Sequence, residues 1–170
     1  MVARFFPLYH NIVKFFGFEN KIYKNTEPIH HIIDNIYLGD YRAADNPILL
    51  TQYKITHVIN CAFNLPCKYP DQFTYLALNL KDEITQDIIP KMEESFQFIK
   101  KNSGNNIFVH CVFGASRSGS VVIYYLMKEK GWTYEQAFEY ISKKRSVLKP
   151  NEGFKQQLLN HEKYFTSRNK

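Results

Sequence analysis

The sequence predicts a single α/β domain with a central, mostly parallel and twisted sheet flanked by helices. Three observations favour this class. From Ile29 onward, short apolar runs alternate with segments whose apolar residues recur at helical spacing. The chain has 170 residues, which is a usual size for one domain. Apolar residues make up 45% of it and aromatic residues 16%, which is enough for one hydrophobic core and unlike a disordered protein.

Four strands are predicted from short apolar runs, and they cover Asn35 to Leu38, His57 to Cys61, Phe73 to Leu80 and Ile107 to His110. Between the third and fourth strands, apolar residues at helical spacing predict a helix that ends at Ser103-Gly104, with Ile88, Ile89, Met92, Phe96 and Ile99 on its buried face. A strand-helix-strand unit therefore leads into Cys111.

Three further helices are predicted after the fourth strand. The first is apolar all round, as a central buried helix is. The second begins with the spacing of a capping box, Thr133 with Gln136, and the third has one apolar face. They cover the run from Val121 to Met127, the segment from Thr133 to Lys144, and the chain after Pro150, where Phe154, Leu158 and Leu159 share a face.

Residues 1–28 differ from the α/β domain expected over residues 29–170, and we interpret them as an N-terminal arm. The arm is rich in aromatic residues, and Phe5, Tyr9, Ile12 and Phe16 fall on one helical face. Three interpretations stay open: a helix packed on its own domain, an arm that forms a homodimer, and a helix at a membrane surface. The arm contains little positive charge for lipid attachment, which disfavours the last.

Composition limits the environment and the partners. A formal net charge of +6 favours anionic ligands without choosing among them. Three cysteines without regular spacing argue against a disulfide framework and against a zinc site, so a reducing compartment is expected. No apolar run reaches the roughly 20 residues of a membrane span, and no secretory signal is visible. We expect a cytoplasmic protein with possible nuclear access, without metal or cofactor, and without a stable nucleic-acid or membrane partner.

The segment from His110 to Ser118 has the form of a loop that wraps a phosphate around a reactive thiolate. Cys111 follows an apolar strand and precedes a helix, where free N–H groups and the helix dipole attract an anion. Both influences lower the pKa of a cysteine thiol and make it a nucleophile. Cys111 is therefore the candidate nucleophile.

The other residues of this segment are assigned to binding phosphate and supporting the thiolate. Residues 112–116 can form a nest of inward N–H groups, and Gly114 allows positive φ or close approach. The planar guanidinium of Arg117 can bind two phosphate oxygens. Ser118 is placed to hydrogen-bond the thiolate and ease its departure, and His110 organises the loop. The substrate-binding candidates are His110, Val112, Phe113, Gly114, Ala115, Ser116 and Arg117.

A proton donor for the leaving oxygen must come from another loop. The strand that ends at Leu80 runs into Asp82 and Glu83, before the next helix begins near Asp87. Asp87 is better explained as a helix N-terminal residue that satisfies free N–H groups. From the residues alone, Asp82 is only slightly ahead of Glu83 as the general acid.

These segments resemble the dual-specificity phosphatases, the small branch of the protein tyrosine phosphatase superfamily, over nearly the whole chain after residue 28. The resemblance implies a protein tyrosine phosphatase-like fold and raises Asp82 well above Glu83. The matching segments are Ile33 to Gly39, Ile55 to Asn60, Leu80 to Asp82 with Asp87-Ile88, His110 to Ser118, and Lys149 to Phe154 with Gln157-Leu158.

The resemblance implies a metal-independent phosphoric monoester hydrolase that acts on phosphotyrosine and on phosphoserine or phosphothreonine in proteins. In its two steps, Cys111 attacks phosphorus while Asp82 protonates the leaving oxygen, and water then cleaves the phosphocysteine with Asp82 as base. Phe113 stands where the family most often has alanine, so the preference among phosphorylated residues stays open. The compact length and the arm also resemble the poxvirus-type members, in which an N-terminal helix mediates dimerisation.

Two alternatives to a protein phosphatase are weighed. One is a phosphatase of an RNA 5′-triphosphate or a phosphoinositide, since related enzymes of those kinds often have basic residues inside the loop. Here Val112, Phe113, Ala115 and Ser116 are uncharged. The other is a non-catalytic phosphopeptide-binding module, against which the retention of Cys111, Arg117 and Asp82 weighs.

Overall fold

The computed structural model of the chain describes residues 25–166. Its strands and helices alternate along the chain, as the sequence predicts. The strands are β1 (Ile29–Ile33), β2 (Ile36–Gly39), β3 (Ile55–Ala62), β4 (Thr74–Leu80) and β5 (Asn106–His110). The helices are α1 (Tyr41–Ala44), α2 (Pro47–Gln52), α3 (Ile89–Lys101), α4 (Arg117–Lys130), α5 (Tyr134–Lys144) and α6 (Glu152–Thr166).

The five strands form one sheet in the order β1-β2-β5-β3-β4. All neighbours pair in parallel except β1, which pairs antiparallel with β2 at the edge. The prediction of a mostly parallel sheet is therefore confirmed. His110, at the carboxyl end of the central strand β5, pairs with Gly39 on one side and Asn60 on the other. The loop after His110 thus starts at the middle of the carboxyl edge, where open α/β sheets bind ligands.

Two hydrophobic clusters cover the two faces of the sheet. Successive side chains of β5 alternate between them: Ile107 and Val109 belong to the larger cluster, and Phe108 belongs to the smaller one. The larger cluster includes residues of α3, α4, α5 and α6, and the smaller one includes Ala43 of α1 and Leu50 of α2. The sheet is therefore covered by helices on both sides, as predicted.

Helix α4 is the central helix of the larger layer. Every residue from Arg117 to Met127 is buried, which confirms the prediction of a helix that is enclosed all round. The capping box of α5 is also present, since Thr133 and Gln136 exchange side-chain and backbone hydrogen bonds. Helix α3 ends at Lys101, slightly before the predicted Ser103-Gly104.

The four predicted strands are present, but three elements were not predicted. Strand β1 was not predicted because His30 and His31 interrupt its apolar pattern. Helices α1 and α2 have 4 and 6 residues, too short to show a helical period. Each nevertheless begins with a side-chain cap, since Asp40 accepts from the Arg42 N–H and Asn46 accepts from the Leu49 N–H.

Within residues 25–166, no helix is both long enough and apolar enough to cross a bilayer. The aromatic face proposed for the N-terminal arm lies outside these residues and stays a prediction. The last residues of the arm contact the domain: the Glu27 carbonyl accepts from Arg145 Nη1 at 2.9 Å, and the Pro28 carbonyl accepts from the Asp40 N–H at 3.0 Å.

Candidate active site

Cys111 lies between the end of β5 and the start of α4, and its side chain is buried. Its sulfur accepts hydrogen bonds from the Gly114 N–H and from Ser118 Oγ, both at 3.2 Å. Two hydrogen-bond donors therefore point at the sulfur, next to the N-terminus of a buried helix. The hydrogen bond that the sequence predicts between Ser118 and Cys111 is therefore present.

The backbone carbonyls of the phosphate loop, residues 111–117, are bonded to groups outside it. Because the N–H of each peptide unit points away from its C=O, outward carbonyls turn the following N–H groups toward the centre of the loop. Arg145 donates from Nη2 to the Phe113 carbonyl at 3.1 Å and from Nε to the Gly114 carbonyl at 2.7 Å. The carbonyls on either side accept from backbone groups: Val112 from the Tyr41 N–H and Ala115 from the Lys149 N–H, both at 3.2 Å.

Gly114 has φ of 63°, a conformation that other residues rarely adopt. A Cβ at this position would also lie 2.3 Å from the Gly39 carbonyl oxygen and 2.5 Å from Arg145 Nη2. Both reasons that the sequence suggests for glycine, positive φ and close approach, apply here. The tight packing is against β2 and Arg145, which lie outside the loop.

Arg117 is the first residue of α4 and is only 8% exposed. Its Nη1 donates to the Leu80 carbonyl at 3.3 Å, and its Nε lies 3.5 Å from Asp82 Oδ2. Within residues 25–166, this Nε is the only buried side-chain nitrogen or oxygen without a hydrogen-bond partner. A buried arginine whose Nε makes a 3.5 Å ion pair with Asp82 but no hydrogen bond, beside a nest of N–H groups, is suited to bind phosphate.

Asp82 lies in the loop after β4 and reaches the phosphate loop. Its Oδ1 accepts from Ser116 Oγ at 2.7 Å and from Asn151 Nδ2 at 2.8 Å, and its side chain is 34% exposed. Glu83, the competing candidate, is exposed. Asp87 Oδ1 accepts from the Ile89 N–H at 3.2 Å, as expected for a residue at the start of α3. Of the three acids, the structure joins Asp82 to the site.

The fold agrees with comparisons against known proteins. Residues 36–164 match the family description "Dual specificity phosphatase, catalytic domain". The chain belongs to the dual-specificity phosphatase family. The family predicted from the sequence is therefore confirmed, whereas the resemblance to poxvirus-type members stays a prediction.

Individual relatives show the extent of the similarity. The chain is 40% identical over 82% of its length to a probable rhodanese domain-containing dual specificity protein phosphatase from Dictyostelium discoideum, but it spans only 30% of that protein. It is 37% identical over 78% of its length to dual specificity protein phosphatase 1 from Arabidopsis thaliana and spans 68% of that protein. A crystal structure of human DUSP28 superposes with a TM-score of 0.76 at 26% identity, over 81% of this chain and 95% of that one.

Ser116 and Asn151 connect the loop after β4, which holds Asp82, to the phosphate loop. Besides donating to Asp82, the Ser116 hydroxyl accepts from the Asn151 N–H at 3.1 Å. Asn151 Oδ1 accepts from the Phe154 N–H at 3.0 Å, so the same side chain caps α6. Asn151 had no predicted role, although an asparagine directly before a helix is a recognisable capping signal.

Arg145 is the second residue that sequence reasoning missed. Its side chain is fully buried and binds two phosphate-loop carbonyls, the Asp40 carboxylate at 3.3 Å and His30 Nδ1 at 3.0 Å. It follows Lys143 and Lys144, so it resembles the solvated basic end of a helix. Its position four residues after the buried Ile141 is the one signal that points inward.

His110 is buried and stacks on Phe108 with ring centroids 5.3 Å apart. Its Nδ1 lies 3.4 Å from the Cys111 carbonyl oxygen. Burial, helped by the positive charge of Arg117, lowers the pKa of His110 to about 4. A ring that is neutral at physiological pH, stacked on the sheet, fits a residue that organises the loop.

The remaining two thiols differ from Cys111 in their surroundings. All three cysteines are free, and Cys61 is fully buried on β3. Burial raises the pKa of the Cys61 thiol well above its usual value, and the neighbouring Cys111 raises it further. Burial also raises the pKa of Cys67. Cys61 therefore fits a small core residue.

Proposed function

We propose that the protein is a cysteine-dependent protein phosphatase that hydrolyses phosphotyrosine and phosphoserine or phosphothreonine. One observation carries the proposal: a thiol with two aimed donors, a loop with four outward carbonyls and an arginine with an unused Nε converge on one place at the sheet edge. The carboxylate of Asp82 lies 3.5 Å from that Nε. A dianionic phosphate, a leaving oxygen and an acid can all be accommodated there.

The proposed reaction has two steps. In the first, the Cys111 thiolate attacks phosphorus, the S–P bond forms, and the bond to the leaving oxygen breaks as Asp82 donates a proton to that oxygen. Arg117 and the N–H groups of the loop stabilise the phosphoryl oxygens in the transition state. In the second step, Asp82 removes a proton from water, the water oxygen attacks phosphorus, and Ser118 donates a hydrogen bond to the departing thiolate.

Ser116, Asn151 and Arg145 are proposed as positioning residues. Ser116 and Asn151 hold the Asp82 carboxylate toward Arg117, and Arg145 holds the carbonyls of Phe113 and Gly114 outward. The uncharged Val112, Phe113 and Ala115 support a phosphoprotein substrate over an RNA 5′-triphosphate or a phosphoinositide. These alternatives become outcomes of the test.

The test compares the wild type, Cys111→Ser and Asp82→Asn on a phosphotyrosine peptide, a doubly phosphorylated Thr/Tyr peptide, a phosphoinositide and a 5′-triphosphorylated RNA. We expect the wild type to release phosphate from the peptides and Cys111→Ser to release none. Asp82→Asn should stay folded and be slower by about 10²–10⁴-fold, the usual contribution of proton donation. Cys67→Ser, a cysteine outside the phosphate loop, is the matched control and should keep full activity.

Absence of any Cys111-dependent phosphate release would refute the enzyme, and tight peptide binding by Cys111→Ser would then support a phosphopeptide-binding module. Release from the phosphoinositide or the RNA alone would replace the protein substrate with that alternative.

We also propose that the N-terminal arm forms a homodimer and that the protein acts in the cytoplasm with access to the nucleus. The dimer is supported by the aromatic face of the arm sequence, and the location by three free cysteines.

Deleting residues 1–24 leaves the contacts of Glu27 and Pro28 intact and should convert a dimer to a monomer. An unchanged mass by light scattering would remove the dimer, and exclusion of a tagged protein from cytosolic fractions would remove the location.

A further inference from the structure

Two exposed apolar side chains lie on the segments that follow β3 and β4, and the second of these segments holds Asp82. Within residues 25–166, the large hydrophobic side chains with high exposure are Ile48 (72%), Ile84 (67%), Tyr164 (57%), Phe63 (45%) and Tyr53 (38%). Phe63 directly follows β3, and Ile84 follows Asp82 by two residues. We call Phe63 and Ile84 together the apolar rim. Single exposed apolar residues are common on protein surfaces, so it is the position of these two, on the segments around Asp82, that suggests a binding role.

Phe63 is tied to the residue that binds phosphate. Its N–H donates to the Leu80 carbonyl at 3.0 Å, and the same carbonyl accepts from Arg117 Nη1 at 3.3 Å. Lys81, which lies between Leu80 and Asp82, places its Nζ 5.4 Å from the centroid of the Phe63 ring. The ring is therefore held at the carboxyl edge of the sheet, beside the start of the acid loop.

Ile84 is presented by a loop that the last helix holds in place. A Cβ on Gly153 would lie only 2.0 Å from the Ile84 carbonyl oxygen, so α6 packs directly on this backbone. Gln157 of α6 donates to the Gln86 carbonyl and accepts from the Ile88 N–H, both at 2.9 Å. Because this backbone is held by α6, the loop loses little freedom when the exposed Ile84 side chain binds a partner.

We propose that the apolar rim is a specificity subsite that binds an apolar side chain next to the phosphorylated residue of a substrate peptide. The proposal rests on the proposed function, because Asp82 must face the leaving oxygen and the rest of the substrate then leaves the site across the Asp82 loop. Phe63 directly follows β3 and Ile84 lies two residues after Asp82, so a substrate that leaves the site past Asp82 would meet these two segments. The rim selects phosphopeptides with apolar neighbours and contributes nothing to the chemical step.

The test uses two phosphotyrosine peptides that differ only in the residues flanking phosphotyrosine, leucine in one and serine in the other, and a small aryl phosphate. We expect the wild type to prefer the leucine peptide by about tenfold in kcat/KM, the scale of discrimination by small apolar contacts. Phe63→Ala and Ile84→Ala should each reduce the preference to about two- or threefold through KM. Hydrolysis of the aryl phosphate should not change.

Ile48→Ala is the matched control, because Ile48 is an equally exposed isoleucine on α2, outside the phosphate loop and the Asp82 loop. It should retain the full preference. Equal kcat/KM for the two peptides, or an unchanged preference in both rim variants, would overturn the proposal.

A binding measurement keeps the rim separate from the chemistry. In the Cys111→Ser background, the ratio of the dissociation constants of the two peptides should show the same preference and the same loss on Phe63→Ala. If wild-type activity is absent but this ratio behaves as expected, the proposed enzyme fails and the rim stands. If activity is present and the ratio is one, the rim fails and the enzyme stands.

Discussion

Two buried arginines are part of the phosphate loop or contact it: Arg117 is its last residue, and Arg145 binds its carbonyls. They differ in how their guanidinium groups are bonded. Arg145 is fully buried, and all three of its nitrogens donate to carbonyls or to side chains of the domain. Arg117 is 8% exposed, donates from Nη1 to one carbonyl, and leaves Nε without a hydrogen bond. Both guanidiniums are charged, so burial alone does not separate their roles.

The difference indicates which arginine serves the fold and which serves a ligand. A buried charge is tolerated when hydrogen bonds satisfy it, and Arg145 has this arrangement around Asp40 and the loop carbonyls. An unsatisfied donor costs stability in the free protein, and it is retained where a substrate later supplies the acceptor. The predictions below run from the largest expected effect to the smallest, and the first two test this division directly.

Removing the under-bonded arginine should abolish most activity and leave stability nearly unchanged. Arg117→Ala should lower kcat/KM by about 10³-fold or more, because a preorganised donor to the transition state is lost. The free energy of unfolding should change by less than about 1 kcal/mol, since few hydrogen bonds are removed. Phosphate release and urea unfolding measure the two effects. Arg117→Lys retains the charge but not the planar donor pair, and it should remain at least about 10²-fold slower.

If Arg117→Ala unfolded the protein, the division between the two arginines would be wrong. Full activity in Arg117→Lys would show that charge alone is sufficient.

Removing Arg145, whose nitrogens are all hydrogen-bonded, should have the opposite effect and lower mainly the stability of the fold. Arg145→Met should lower the free energy of unfolding by about 3 kcal/mol, because it leaves the carbonyls of Phe113 and Gly114 without this partner and removes one of the two arginines at the buried Asp40 carboxylate. Asp40 keeps Arg42, at 2.8 Å, which places the loss at the low end of the usual range. Urea denaturation measures it. Arg42→Met is the control: its side chain is 30% exposed, and the loss should be about 1 kcal/mol. Equal losses in the two variants would contradict a special role for Arg145.

Asn151 allows the same kind of test in the loop that holds Asp82. Its Nδ2 donates to Asp82 Oδ1, while its Oδ1 accepts from the Phe154 N–H and caps α6. Asn151→Ser keeps an oxygen for the cap and loses the donor to Asp82. Loss of one such hydrogen bond is worth about 1 kcal/mol, so kcat should fall about fivefold with little change in thermal stability.

The fall should be clear for substrates with a poor leaving group and small for activated aryl phosphates, which need less proton donation. An equal fall for both kinds of substrate would exclude a role in orienting the acid.

The smallest effects concern the histidine beside each arginine. Burial, then the charge of Arg117, lowers the pKa of His110, and burial, then the charge of Arg145, lowers the pKa of His30. In ring titrations followed by NMR, Arg117→Ala should raise the pKa of His110 but not that of His30. Shifts in both histidines would mean a general loosening of the fold.

The same His110 shift sets a pH dependence. The folded ring has a pKa of about 4 and the unfolded ring about 6.5, so the unfolded state binds more protons between these values. The contribution of His110 therefore lowers stability as pH falls from about 6.5 to about 4, and unfolding curves over that range should show it.

Most features that the sequence predicted depend on patterns within a few consecutive residues. The phosphate loop, the capping box of α5 and the position of Asp82 after β4 each lie within a few consecutive residues, where spacing constrains chemistry directly. The two short helices and β1 were missed because 4 to 6 residues are too few to show a period, or because histidines interrupt it.

The sequence by itself predicted the fold class, through its alternation of apolar runs and helical patterns, and the family, through the resemblance of its segments to dual-specificity phosphatases. It also predicted a phosphate loop, because a cysteine and an arginine six residues apart at a strand-to-helix junction permit few other uses. Only the tertiary structure decided what holds these groups in place. Arg145 reaches Gly114 over 31 positions, Ser116 reaches Asp82 over 34, and Asn151 reaches Asp82 over 69. Hydrogen bonds between residues this far apart depend on how the elements pack, and no local pattern in the sequence encodes that packing.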